Sequence, residues 1–228
     1  MIITLNNHQV LRAINSLDVY SRIFIGQYRE INWEIRFNAV DATDDWEKFE
    51  EKEAQREGIL KAIRNIVIPD LEYLSFNASH GIWNFEQNDP RAIDAYDLQQ
   101  AIRYKDAWHR LPEGGITRNF DKPWIRGRFP KPVIEITGGQ DNYEMTIVLL
   151  PEQFQIMLEA ANVLRYIHRG EFRKMFEVYT DNEEALRCAE LLEKYIAECS
   201  PMVIECDDDY VNCLNHQSEV SEVNGNAV

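Results

Sequence analysis

Residues 3–31 and 147–175 carry the same ordered signals: an apolar strand-like start, a cap, a long amphipathic helix, a glycine, then an aromatic and an arginine. Aligned without a gap, the segments share Ile3/Ile147, Leu5/Leu149, Gln9/Gln153, Val19/Val163, Ile23/Ile167, Gly26/Gly170 and Arg29/Arg173. A glycine that closes a helix takes the left-handed backbone conformation without a Cβ clash, and an apolar residue after it can fold back over the helix end. Two copies of this grammar predict a strand–helix duplication packed about a pseudo-two-fold. That arrangement suits a self-contained chain or a homo-oligomer. Arg29 and Arg173 are read as solvated.

Around the repeat the pattern is mixed. Asn6 or Asn7 can cap a first helix whose apolar stripe runs from Val10 to Phe24. Ile31, Trp33, Ile35 and Phe37 alternate, which predicts a strand with one buried face. A helix is expected over 41–68, capped by Asp41, Thr43 or Asp44 and stopped by Pro69. On it Lys48, Lys52 and Arg56 step by four among acids, the pattern of a solvated ion-pair face. Asp89-Pro90 opens another helix, residues 132–150 read as a hairpin with a Gly-rich turn, and two helices follow it. The expected fold is α+β, with about five helices and a small, mainly antiparallel sheet. A single domain spans 1–199, its pseudo-repeat halves 1–115 and 132–199 joined by the loop 116–131. The acidic stretch 200–228 is expected to be a disordered tail.

Charge narrows the functions. The chain of 228 residues has 24 Lys and Arg against 39 Asp and Glu, a net −15. A body of that sign repels polyanions, which argues against general nucleic-acid binding and against anionic membranes. The N-terminus lacks the basic and apolar regions of a signal peptide, and no apolar run is long enough for a membrane span, so a cytoplasmic protein is expected. Cys188, Cys199, Cys206 and Cys213 fit no zinc spacing, and neither a metal nor a cofactor is expected.

Against this background the segment "RNFDKPWIRGRFPK", 118–131, carries five basic residues and one acid. Arg118, Lys122, Arg126 and Arg128 alternate with Phe120 and Trp124. Guanidinium forks pair with phosphate oxygens and aromatic faces stack on bases. A short basic-aromatic loop on an acidic body suits a compact phosphorylated ligand, such as a nucleotide, better than a long polyanion. The competing structural reading has its aromatics plug the core while its charges pair with the acidic helix. A second functional reading uses Glu47, Glu50, Glu51, Glu53 and Glu57 as a nucleic-acid mimic that occupies a groove on a basic host protein. No phosphate loop, dinucleotide fingerprint, zinc-helix or nucleophile-elbow motif is present in the sequence, so it supplies no catalytic residue.

One short segment carries a resemblance. Tyr20-Ser21-Arg22-Ile23, followed by Gly26-Gln27-Tyr28, resembles the Y-S-R-I-x-x-G-Q-[FY] helix endings of small uncharacterised proteins of phages and mobile elements. It covers about 30 of the 228 residues, and the second copy departs from it with Leu164-Arg165-Tyr166. The resemblance implies an accessory protein of that type and transfers no activity or catalytic residue; the ligand reading adds the expectation that the protein sequesters a nucleotide-like signal to counter host defence.

Overall fold

The computed structural model describes residues 1–38, 46–84, 86–115, 120–199 and 208–225. Among the described residues, eight α-helices and three strands run in the order β1 (Ile2–Asn6), α1 (Asn7–Phe24), α2 (Arg29–Asn38), α3 (Trp46–Val67), α4 (Pro90–Arg110), β2 (Val133–Gly138), β3 (Tyr143–Val148), α5 (Pro151–Arg169), α6 (Phe172–Glu177), α7 (Glu183–Cys199) and α8 (Asp208–Gly225). The fold is α+β with a small antiparallel sheet, but with more helices than the five expected. Two compact units are formed, one from 1–21, 88–161 and 207–228, the other from 22–87 and 162–206. Each unit draws on both halves of the chain.

In the first unit the sheet order is β1-β3-β2. β1 pairs antiparallel with β3, and Ile3 lies directly opposite Ile147. These two are aligned residues of the repeat, so a local two-fold passes through the pair. Ile3, Leu5, Met145 and Ile147 form the inward face of the alternation and are fully or almost fully buried. Val10, Ala13 and Leu17 of α1 and Met157, Ala160 and Ala161 of α5 are buried in the same unit. Cutting one of the larger of these to alanine would cost about 2–5 kcal/mol.

Both copies start and stop their helix in the same way. Gln9 Oε1 accepts the Asn6 N–H at 3.0 Å, and Gln153 Oε1 accepts the Leu150 N–H at 3.0 Å. The first copy completes a capping box, because Asn6 Oδ1 accepts the Gln9 N–H at 3.0 Å. At the other end Gln27 N–H reaches Arg22 O and Gly26 N–H reaches Ile23 O, both at 2.9 Å. Glu171 to Tyr166 and Gly170 to Ile167 repeat this pattern at 2.9 and 3.1 Å. These are two Schellman closures, with φ +91° at Gly26 and +69° at Gly170. The aromatics that follow, Tyr28 and Phe172, are buried in the second unit, where Tyr28 meets the Phe176 ring.

In that second unit α3 packs along α7 and α6 packs on α7. Residues 31–37 belong to helix α2, not to a strand. Ile31 and Ile35, four apart, are buried while Trp33 is 40% exposed. The helical period explains that burial; an alternating strand would have buried Trp33 with them. The cap candidates Asp41, Thr43 and Asp44 lie outside the described residues, as do Cys206 and Arg118. Arg56 departs from the solvated face expected of it: it is 1% exposed and its Nε donates to Asn32 Oδ1 at 3.1 Å. Arg173 stays at the surface and pairs with Glu177, Glu183 and Glu190.

The stretch expected to be a disordered tail contains α8. Tyr210, Val211 and Leu214 of this helix are buried, an apolar set at i, i+1 and i+4 that outweighs the surrounding acids. Its Gln217 amide donates to Thr4 O at 3.1 Å and accepts from Thr4 N–H at 3.3 Å, so it engages the outer edge of β1. Among the described residues, no helix is long and apolar enough to cross a membrane.

Candidate functional site

The basic-aromatic loop is held by α4, within the first unit. Asp89 caps that helix by accepting the Arg91 N–H at 2.8 Å, and Pro90 takes its first turn. One turn on, Asp94 and Asp97 share a face by their spacing of three, and both are buried. Asp97 Oδ2 accepts the backbone N–H groups of Arg126 and Gly127 at 2.6 and 2.5 Å. Asp94 Oδ1 accepts the Arg128 N–H at 2.7 Å. Its other oxygen takes the Arg128 guanidinium through Nε at 2.7 Å and Nη2 at 2.6 Å. Gly127 is required by this contact, since a Cβ there would stand 2.4 Å from Asp94 Oδ1.

Beneath the clamp Leu98, Ile125, Phe129, Pro130, Pro132 and Gln153 line a small recess. Asp97 Oδ1 is buried with no hydrogen-bond partner. Burial raises the Asp97 pKa above the ordinary carboxylate value; the two backbone donors pull it down and Asp94 pushes it further up.

This geometry sorts the expected ligand residues. Arg128 grips Asp94 through Nε and Nη2 and stacks over Phe129 at 5.2 Å, so that edge of its guanidinium is occupied. Phe120 packs edge-on to Trp108 at 5.2 Å and fills the space beside Gly115, which makes it a plug and not a stacking platform. Lys122 and Trp124 are exposed, Trp124 to 70%, and the Arg126 guanidinium lies over the Trp124 ring at 5.1 Å. Lys131 Nζ lies over the Tyr104 ring at 5.2 Å. Loss of water, and then the charges of Lys105 and Lys122, lower the Lys131 pKa. Lys122, Trp124 and Arg126 are thus exposed along the loop, Lys131 lies against Tyr104 within reach of the charges of Lys105 and Lys122, and Arg128 and Phe120 contact Asp94 and Trp108.

Sequence reasoning missed the Asp94–Asp97 clamp, because two acids on a helix read as a solvated face. It also missed the Tyr104-Lys105 dipeptide, whose adjacent cation and aromatic were the available signal. Among the described residues, Arg128 of the loop pairs with Asp94 of α4. On α3, Glu50 and Glu51 are exposed, but Glu53 and Glu57 are half-buried, and Glu57 accepts from Asn32 at 3.5 Å. The Glu47 side chain lies outside the described part. Among the described residues, no group of three or more His, Cys, Asp or Glu is placed to hold a metal. Comparison with known proteins found no matching family model, no matching curated sequence and no matching solved structure.

Proposed function

We propose that the protein is a non-enzymatic binding protein for a small phosphorylated, nucleotide-like ligand, held at the surface formed by Lys105, Lys122, Lys131, Trp124 and Arg126. The observation that carries this reading is the lysine cluster: burial, and after it the nearby charges of Lys105 and Lys122, lower the Lys131 pKa, on a chain of net charge −15. Like charges gathered at one place repel, and an anion bound among them relieves that repulsion. Trp124 adds an exposed indole on which a base stacks. The clamp supports the reading by presetting the loop, which lowers the ordering cost of binding. The resemblance of residues 20–28 to phage and mobile-element proteins supports a role in sequestering a signal used by host defence.

The test is calorimetric titration with a purine triphosphate, a cyclic dinucleotide and inorganic triphosphate against the wild type, K122E/K131E and W124A. Loss of at least about tenfold in affinity for K122E/K131E, with an unchanged melting temperature, is expected. W124A is expected to weaken the nucleotides and spare inorganic triphosphate. Unaltered affinity in K122E/K131E, or no binding of any of these anions, refutes the reading.

A further inference from the structure

A second surface, in the unit formed by 22–87 and 162–206, is built around Arg64. This arginine is fully buried, yet its partners are carbonyls and one side-chain amide. Nη1 donates to Ser75 O at 2.8 Å and Phe76 O at 3.1 Å, and Nη2 donates to Leu71 O at 3.0 Å and Leu74 O at 3.2 Å. Asn65 Oδ1 takes Nη2 as well, at 3.2 Å. The loop turns four carbonyls and the Phe76 ring, 5.9 Å away, onto this guanidinium, while other side chains face water. Tyr73 is 90% exposed and Leu74 47%, with the acids Asp70 and Glu72 exposed on either side of Leu71. Leu71 itself points inward, against Gly26, where a Cβ would lie 2.3 Å from its Cδ1. The loop is therefore pinned at its base and along its backbone while its tip presents an aromatic and an aliphatic side chain to water.

Rigid exposed tyrosines are costly to leave in water and lose little entropy on docking, which is why they anchor protein interfaces. The acids beside Tyr73 select a basic receiving surface. The same chain carries one: Lys122, Trp124, Arg126 and Lys131, with an exposed indole for Tyr73 and Leu74 to meet. We propose that the Tyr73 loop of one molecule docks on the Lys122–Trp124 surface of a second copy, head to tail. The two faces differ, so the contact is heterologous and repeats along a growing assembly unless the rotation closes it into a ring. The receiving surface is the one assigned above to a phosphorylated ligand, so such a ligand competes with assembly. The docking itself does not depend on that assignment.

Sedimentation velocity of the full chain tests this. At about 50 mM salt the average mass is expected to rise with concentration past a dimer, and at about 1 M salt to return to the monomer, because screening removes the charge term. Tyr73 and Glu72 are exposed, so Y73A and E72K leave the fold intact; each is expected to weaken association at least about tenfold, as is K122E. Mixing E72K with K122E is expected to restore mixed complexes, since only a head-to-tail contact pairs the new lysine with the new glutamate. A monomer at every concentration in low salt overturns the proposal. So does association indifferent to E72K and K122E, or a mixture that stays dissociated.

Discussion

Replacing Gly127 with alanine puts the loop clamp to its most direct test. Gly127 has no positive φ to lose, so the backbone tolerates a side chain and the shorter list of unfolded conformations favours alanine by about 0.4–1 kcal/mol. The opposing effect is steric. The new Cβ would lie 2.4 Å from Asp94 Oδ1 and 3.2 Å from Asp94 Cα, and real Cβ contacts begin near the latter distance. Asp94 has nowhere to retreat, because its oxygens hold the Arg128 N–H at 2.7 Å and the guanidinium at 2.6 Å. The loop must lift instead. That weakens the backbone bonds to Asp94 and Asp97, each about 1.5–3 kcal/mol when the acceptor is charged. The Arg128–Asp94 pair adds little, since the arginine side chain is 56% exposed. If the loop loses one of its three backbone bonds and part of a second, the cost is about 2–4 kcal/mol. With the unfolded-state gain subtracted, it is about 1–3.5 kcal/mol. Urea denaturation followed by circular dichroism reads this as a lower midpoint at constant slope, and the melting temperature falls by about 5–10 °C. A G127A protein as stable as the wild type, with the amides of residues 126–128 still protected from exchange, would refute the clamp.

Gly58, in α3, has nothing within 4 Å of where its Cβ would stand, so G58A is expected to raise stability by about 0.5–1 kcal/mol in the same urea experiment. Arg64→Met strands four carbonyls and is expected to destabilise by about 3–5 kcal/mol, with proteolytic cleavage appearing between residues 71 and 76. Asp97 gives a pH dependence of known sign. Its folded pKa is raised by burial, so the folded chain holds this proton more tightly than the unfolded chain, and its contribution to stability increases as pH falls through the folded value. The stability of the wild type relative to D97N, from urea melts between about pH 7 and pH 4.5, should therefore rise on acidification; a fall would contradict the assignment.

Much of the fold could be read from short-range signals. The Asp89-Pro90 start of α4, the β2–β3 hairpin and the glycine stops at Gly26 and Gly170 are all set by residues within a few positions of one another. The register that places Ile3 against Ile147 agrees with the sequence alignment, because the repeat and the strand pairing share one axis. Residues 31–37 were illegible for a definite reason. Ile31 and Ile35 satisfy both a period of two and a period near four, and only packing decides that Trp33 stays half outside. The basic-aromatic loop was visible, but the fate of its arginines was not. Arg128 is committed by an acid 34 residues away, and Phe120 by the ring of Trp108 and a close-set glycine. The buried Arg64 was hidden by composition, because a cation held by carbonyl oxygens leaves no matching acid in the pattern.

The amide of Gln217 has a consequence for the life of the protein at high concentration. An edge strand offers its free N–H and C=O groups to any extended segment, and strand addition is a common seed of aggregation. By donating to Thr4 O and accepting from Thr4 N–H, Gln217 imitates one residue of a neighbouring strand and occupies the middle of β1. Asn6 N–H, at the end of the same edge, is taken by Gln9. The C-terminal helix thus works as a guard against intermolecular sheet growth. A chain shortened before α8 would lose this protection along with the packing of Tyr210, Val211 and Leu214, and would precipitate as cross-strand aggregate even where its remaining core could still fold.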